Sequence, residues 1–165
     1  MELSVSVTEN GGVEERSGAV NLHVDGDFLI EIPVKQSGLY MDMTESRFDF
    51  ESGAASRTVS MSTNLSFWNV LEKPSWVSVS PESGEAGEHT LTINVEDNPN
   101  TTKREGRVVV GNQGLSLADT LWLTQEGKWF GSLETVLQFE NVASSNTLDI
   151  STDGDWTVTT SDSWI

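Results

Sequence analysis

The chain has 165 residues, 36% of them hydrophobic, and no cysteine. That is a globular composition for one ordinary domain or two small ones, and it excludes a disulfide framework or a thiolate metal site. Acidic residues outnumber basic ones 26 to 9, for a net charge of −17, and no basic cluster is longer than Lys103-Arg104, so nucleic acid and anionic membrane are not expected as partners.

Apolar runs such as Phe28-Leu29-Ile30 fall far short of the roughly 20 residues that span a bilayer, so no membrane insertion is expected of this segment. Met1 to Val7 has neither the basic nor the apolar part of a signal peptide. The chain therefore reads either as cytoplasmic or as a piece of a longer protein.

In chain order, Leu3–Asn10 (LSVSVTEN) and Arg16–Gly38 open the sequence, and both return later, as Leu91–Asn98 (LTINVEDN) and Arg104–Gly127. Between and through them, period-2 alternation and turn punctuation predict strands at 47–51, 57–63, 66–71, 75–79, 89–96, 106–112 and 117–125. Downstream, Phe48–Phe50 reappears as Leu137–Phe139, and Arg57–Val70 as Asn146–Thr159. Ser75-Trp76 returns as Ser163-Trp164. Every pair is 88 or 89 positions apart, and this period is the signature of a tandem module.

On that spacing, residues 39–127 form a complete repeat. Residues 1–38 match the C-terminal part of a first copy, and 128–165 the N-terminal part of a third. Acidity belongs to each segment, with 7 acidic against 2 basic residues, 13 against 6, and 6 against 1. About seven short strands per repeat predict an all-β, Ig-like antiparallel sandwich.

Three motifs recur in order: Trp76–Gly84 (WVSVSPESG), Asn98–Val108 (NPNTTKREGRV) and Leu123–Gly127 (LTQEG). They resemble the BACON domain, the Bacteroidetes-associated carbohydrate-binding, often N-terminal module. The resemblance implies a non-catalytic module of a secreted or outer-cell-surface glycan-processing protein, with polysaccharide or glycoprotein glycans and neighbouring domains of a longer chain as partners. The alternative, which the sequence favours physically because its fixed residues read as structural and no exposed aromatic platform is seen to repeat, is a rigid spacer that positions catalytic or adhesive neighbours without binding sugar. Physically, the Gly two residues after Arg104 reads as a turn exit. The closing Gln reads as a side-chain amide bonded to nearby backbone.

Chemistry-bearing patterns are sparse. No nucleophile elbow, P-loop or HExxH pattern is present, so no catalytic residue, cofactor or metal ligand is expected. His23 and His89 do not align in the repeat, and the two Asp-Gly-Asp runs, Asp25–Asp27 and Asp153–Asp155, read as turns.

Aromatic side chains are the remaining candidates, because flat rings stack on the apolar faces of pyranoses. Trp76 and Trp164 recur, as do Phe67 and Trp156, and all four are expected in the core. Trp68, next to Phe67 in a strand, and Trp122, between Leu121 and Leu123, are expected to face outward and are the candidate sugar-binding residues. Trp129 and Phe130 are expected at the junction between modules.

Overall fold

The computed structural model describes residues 2–132 and 136–165. Thirteen strands occur among them: β1 Arg16–Val24, β2 Asp27–Gln36, β3 Met41–Met43, β4 Arg47–Phe50, β5 Ala55–Thr63, β6 Trp68–Glu72 and β7 Val77–Ser80, then β8 Ser83–Gly84, β9 Gly87–Val95, β10 Arg104–Asn112, β11 Leu117–Gln125, β12 Phe130–Ser132 and β13 Ile150–Thr152. The chain is all β, as its alternation predicts. Within the central segment the seven expected strands are joined by two short ones, β3 and β8.

β3 to β11 build a two-sheet sandwich, one sheet in the order β3-β5-β9-β7 and the other β4-β11-β10-β6-β8. Pairing is antiparallel except between β4 and β11, which run parallel with Leu123 opposite Phe48. The alternation seen in the sequence becomes the inner face of each sheet. Val59 and Met61 of β5, Val77 and Val79 of β7, and Leu91, Ile93 and Val95 of β9 meet Phe48, Phe50, Trp68, Val108, Val110, Leu121 and Leu123 from the second sheet. Each such side chain contributes roughly 1.5–3 kcal/mol by leaving water. Most serines, threonines and charged residues of the same strands point outward, while Thr63 of β5 and Thr124 of β11 are buried.

Two buried polar residues tie the sheets together at one end. Gln125 accepts from Arg104 Nε at 2.9 Å, and its amide donates to the carbonyls of Ser52, Gly53 and Glu96, each at 3.0 Å. This is the role expected of the closing Gln. Asn98 donates to the carbonyls of Thr102 and Glu126 at 3.0 and 2.9 Å. Gly106 has a different reason from the one expected. It lies within β10, and a Cβ there would be 2.4 Å from Cγ of Pro74 and 3.2 Å from the Trp76 indole, so it gives room for packing rather than ending a turn.

The same bonds occur in the N-terminal segment at positions shifted by the sequence period. Asn10 donates to the carbonyls of Glu14 and Ser37, as Asn98 does to Thr102 and Glu126. Arg16 Nε donates to Gln36 at 2.8 Å and its Nη2 to the carbonyl of Thr8, matching Arg104 with Gln125 and Glu96. Beyond each closing Gln, the Leu39 amide donates to Gly12 and the Lys128 amide to Asn100, both at 2.8 Å. Gly38 and Gly127 lie so close to the crossing chain that a Cβ would stand 2.2 Å from the Val13 carbonyl oxygen and 2.4 Å from the Thr101 carbonyl carbon.

Outside the sandwich, β1 and β2 form a two-stranded antiparallel sheet, as do β12 and β13. Asp25 and Gly26 make the two-residue turn between β1 and β2, with φ of 51° and 93°, the left-handed pair that such a hairpin requires. Trp156 and Trp164 are solvent-exposed, Trp164 at 79%, and so are not core residues in this structure. The reason is architectural, since the described residues from 136 onward contribute only the three residues of β13 to a sheet.

Candidate functional site

Strand register separates the two residues expected to face outward. Trp68 opens β6 with its indole turned inward and is 0% exposed. A Cβ at Gly84 would lie 2.8 Å from its ring, its Nε1 donates to the Glu85 carbonyl at 3.1 Å, and His89 packs on it edge to face at 5.0 Å. Trp68 therefore cannot act as a surface platform. Phe67 precedes the strand, is exposed, and offers its carbonyl to Asn112 Nδ2 at 3.0 Å; it is not a core residue.

A one-residue difference in the preceding loop explains the exchange of roles. Up to Asn64 and Asp153 the copies are 89 apart, but Trp68 and Trp156 are 88 apart, like Trp76 and Trp164. By spacing, Trp156 therefore pairs with Trp68 at 88 as well as with Phe67 at 89. Trp76 is half-buried against the edge of the core, with the Arg104 guanidinium 4.4 Å above its ring.

Trp122 is 53% exposed, on the outer face of the five-stranded sheet. Because alternation turns Leu121 and Leu123 inward, its indole must point outward. Arg47 stands opposite it on β4 and Arg107 opposite it on β10. Each arginine is held by a partner of its own. Arg47 donates to Asp49 Oδ1 at 2.9 Å and to Thr124 Oγ1 at 2.8 Å. Arg107 grips Glu72 with both Nε and Nη2, at 2.9 and 2.8 Å, while its guanidinium lies 5.9 Å from the Trp122 ring centroid.

These pairings set the charge of the surface. The hydrogen bond from Arg47 holds the Asp49 carboxyl below the usual carboxylate range, and that from Arg107 does the same for Glu72. Glu72 in turn raises the Arg107 pKa. A glycosidase acid must carry a proton near neutral pH, and neither carboxyl is tuned that way. What the arrangement offers is an apolar ring face bordered by fixed, directional donors and acceptors.

His89 Nε2 donates to the Glu85 carbonyl at 2.8 Å and the ring sits against Trp68, a structural placement. Trp129 and Phe130, expected at a junction between modules, are both exposed. Tyr40, which composition and motif reading passed over, occupies the position 89 residues before Trp129 and is also exposed. The period itself was the signal that could have found it.

No helix of the structure is long and apolar enough to cross a membrane among the described residues. A search of the curated proteins found no match. Among solved structures, the chain is similar to a Bacteroides ovatus GH5 xyloglucanase in complex with a XXXG heptasaccharide, at 20% identity and a TM-score of 0.47, over 52% of this chain and 18% of that one. It is also similar to a protein from Bacteroides thetaiotaomicron, at 14% identity and a TM-score of 0.36, over 53% of this chain and 87% of that one. Each overlap takes in about half of this chain. Residues 66–126, from just before β6 to just beyond β11, match the model of the BACON family, described as "Putative binding domain, N-terminal", and this match supports a BACON domain in the central sandwich.

Proposed function

We propose that the chain is a tandem, non-catalytic, carbohydrate-associated array, in which 39–127 is one whole module, 1–38 the C-terminal part of a preceding one and 128–165 the N-terminal part of a following one. The shared hydrogen bonds of Asn10 and Asn98, and of Arg16 and Arg104, support the repeat. The BACON match supports a setting on a secreted or outer-surface protein that handles glycans.

Within the central module we assign polysaccharide binding to the Trp122 face, and the observation that carries the reading is an exposed indole between two anchored arginines. A pyranose ring would stack on the indole, while its hydroxyls meet Arg47, Asp49, Arg107 and Glu72. Affinity electrophoresis of the full chain through gels containing mixed-linkage β-glucan, galactomannan or mucin tests this. Retardation that weakens severalfold in Trp122→Ala is the expected result. Unretarded migration in every gel would overturn it.

A second reading, the rigid spacer, is favoured by the junctions. Only four residues separate β2 from β3 and β11 from β12, and each stretch is clasped by the backbone bond of Leu39 or Lys128. Both roles are compatible in one array. Small-angle scattering that reports a freely hinged chain would remove the spacer reading.

A further inference from the structure

The Trp122 platform does not recur, because the matching position of β2 is Pro33, opposite Ala19. A different aromatic does. Tyr40 and Trp129 are 89 residues apart, 46% and 53% exposed, and each follows a junction directly. Their immediate successors differ, Met41 in one copy and Phe130 in the other, yet an exposed aromatic ring is kept in both.

Both rings are mounted in the same way. The Tyr40 amide donates to Asn64 Oδ1 at 2.8 Å and the Trp129 amide to Asp153 Oδ1 at 2.7 Å. The hydroxyls of Thr63 and Thr152 donate to the carbonyls of Tyr40 and Trp129, each at 2.8 Å. Each aromatic thus rests on one Ser-Thr-Asx triplet, Ser62-Thr63-Asn64 or Ser151-Thr152-Asp153. That triplet pins the backbone on both sides of the ring, and at the first site Tyr40 Oη also lies 3.3 Å from the Ser62 hydroxyl. At the second site the Trp129 ring covers Gly131, where a Cβ would stand 3.0 Å from Cζ3.

A backbone held by two side-chain hydrogen bonds lowers the cost of fixing the ring before a ligand arrives. We infer that Tyr40 and Trp129 are a repeated stacking position for pyranose rings, one per module junction, so that a polysaccharide engages the array at more than one point. This rests on the carbohydrate reading above but not on Trp122. Individual stacks are weak, and linked sites raise apparent affinity for a polymer by about 10²-fold or more when the chain can reach both.

The test is affinity electrophoresis of the full chain against mixed-linkage β-glucan, galactomannan and mucin, with Tyr40→Ala, Trp129→Ala, the double variant and Trp122→Ala side by side. Both rings are exposed, and a thermal melt of each variant checks that the fold is kept. The expected result is at least a tenfold weakening in each single variant, loss of retardation in the double variant, and recovery in Tyr40→Trp and Trp129→Tyr. Wild-type retardation in the double variant, with loss only in Trp122→Ala, would overturn this inference and leave the Trp122 reading standing. A wild-type chain that no polysaccharide retards would overturn both.

Discussion

Replacing Trp68 by Ala removes the largest side chain of the central core and leaves a cavity between β6, β8 and β9. Trp68 is fully buried, and Gly84 has no side chain to fill the space. Truncations of this kind cost about 3–5 kcal/mol. The lost bond from Nε1 adds little, because the Glu85 carbonyl keeps its contact with His89 Nε2 at 2.8 Å and is not orphaned. The expected loss is therefore about 4 kcal/mol, a melting transition lower by roughly 15 °C or more for a unit of this size. Trp68→Phe keeps most of the apolar contact and should cost about 1–2 kcal/mol. Trp122→Ala, on the outer face, should stay within about 0.5 kcal/mol. Urea titration of the three variants, followed by far-ultraviolet circular dichroism, measures all of this in the full chain. A Trp68→Ala variant within 1 kcal/mol of wild type would refute the assignment of Trp68 to the core.

Two further outcomes follow from buried and bridging polar groups. Gln125→Leu removes the acceptor of Arg104 Nε and the donor to three carbonyls, of which Gly53 gains no replacement among the described residues. Its cost should be about 3 kcal/mol by the same urea titration, and a neutral result would show that water takes over these bonds. Asp153 accepts from Ser52 Oγ and from the Trp129 amide, and these bonds hold its pKa below the ordinary carboxylate value. A depressed folded-state pKa means that the stabilisation is present above the unfolded value, about 4, and is lost as pH falls through the lower folded value. Hydrogen-exchange protection of the Trp129 amide should thus hold from pH 7 to about 4 and fall below it. It should become insensitive to pH in Asp153→Asn. Equal pH profiles in the two proteins would rule out the carboxylate as the clamp.

The all-β class, the strand positions and the period were legible in the sequence because each is a local or self-referential pattern. Alternation of apolar residues assigns a strand two faces, and repetition needs only the chain compared with itself. Gln125 was legible in the same way, since a polar side chain at the end of an apolar strand must find partners when buried.

What the sequence could not decide was which face of a strand is inner when aromatics stand side by side. Phe67 and Trp68 are both compatible with β6, and only the placement of Gly84 and His89 against the indole selects Trp68. Gly106 is similar, because nothing local announces that Pro74 and Trp76 will lie across it. Nor does alternation tell that Trp122 lies between Arg47 and Arg107, since those residues come from strands 75 and 15 positions away in the chain. Periodicity determines that a residue points out of a sheet. The order and register of the strands, set by packing over the whole sandwich, decide what it meets there.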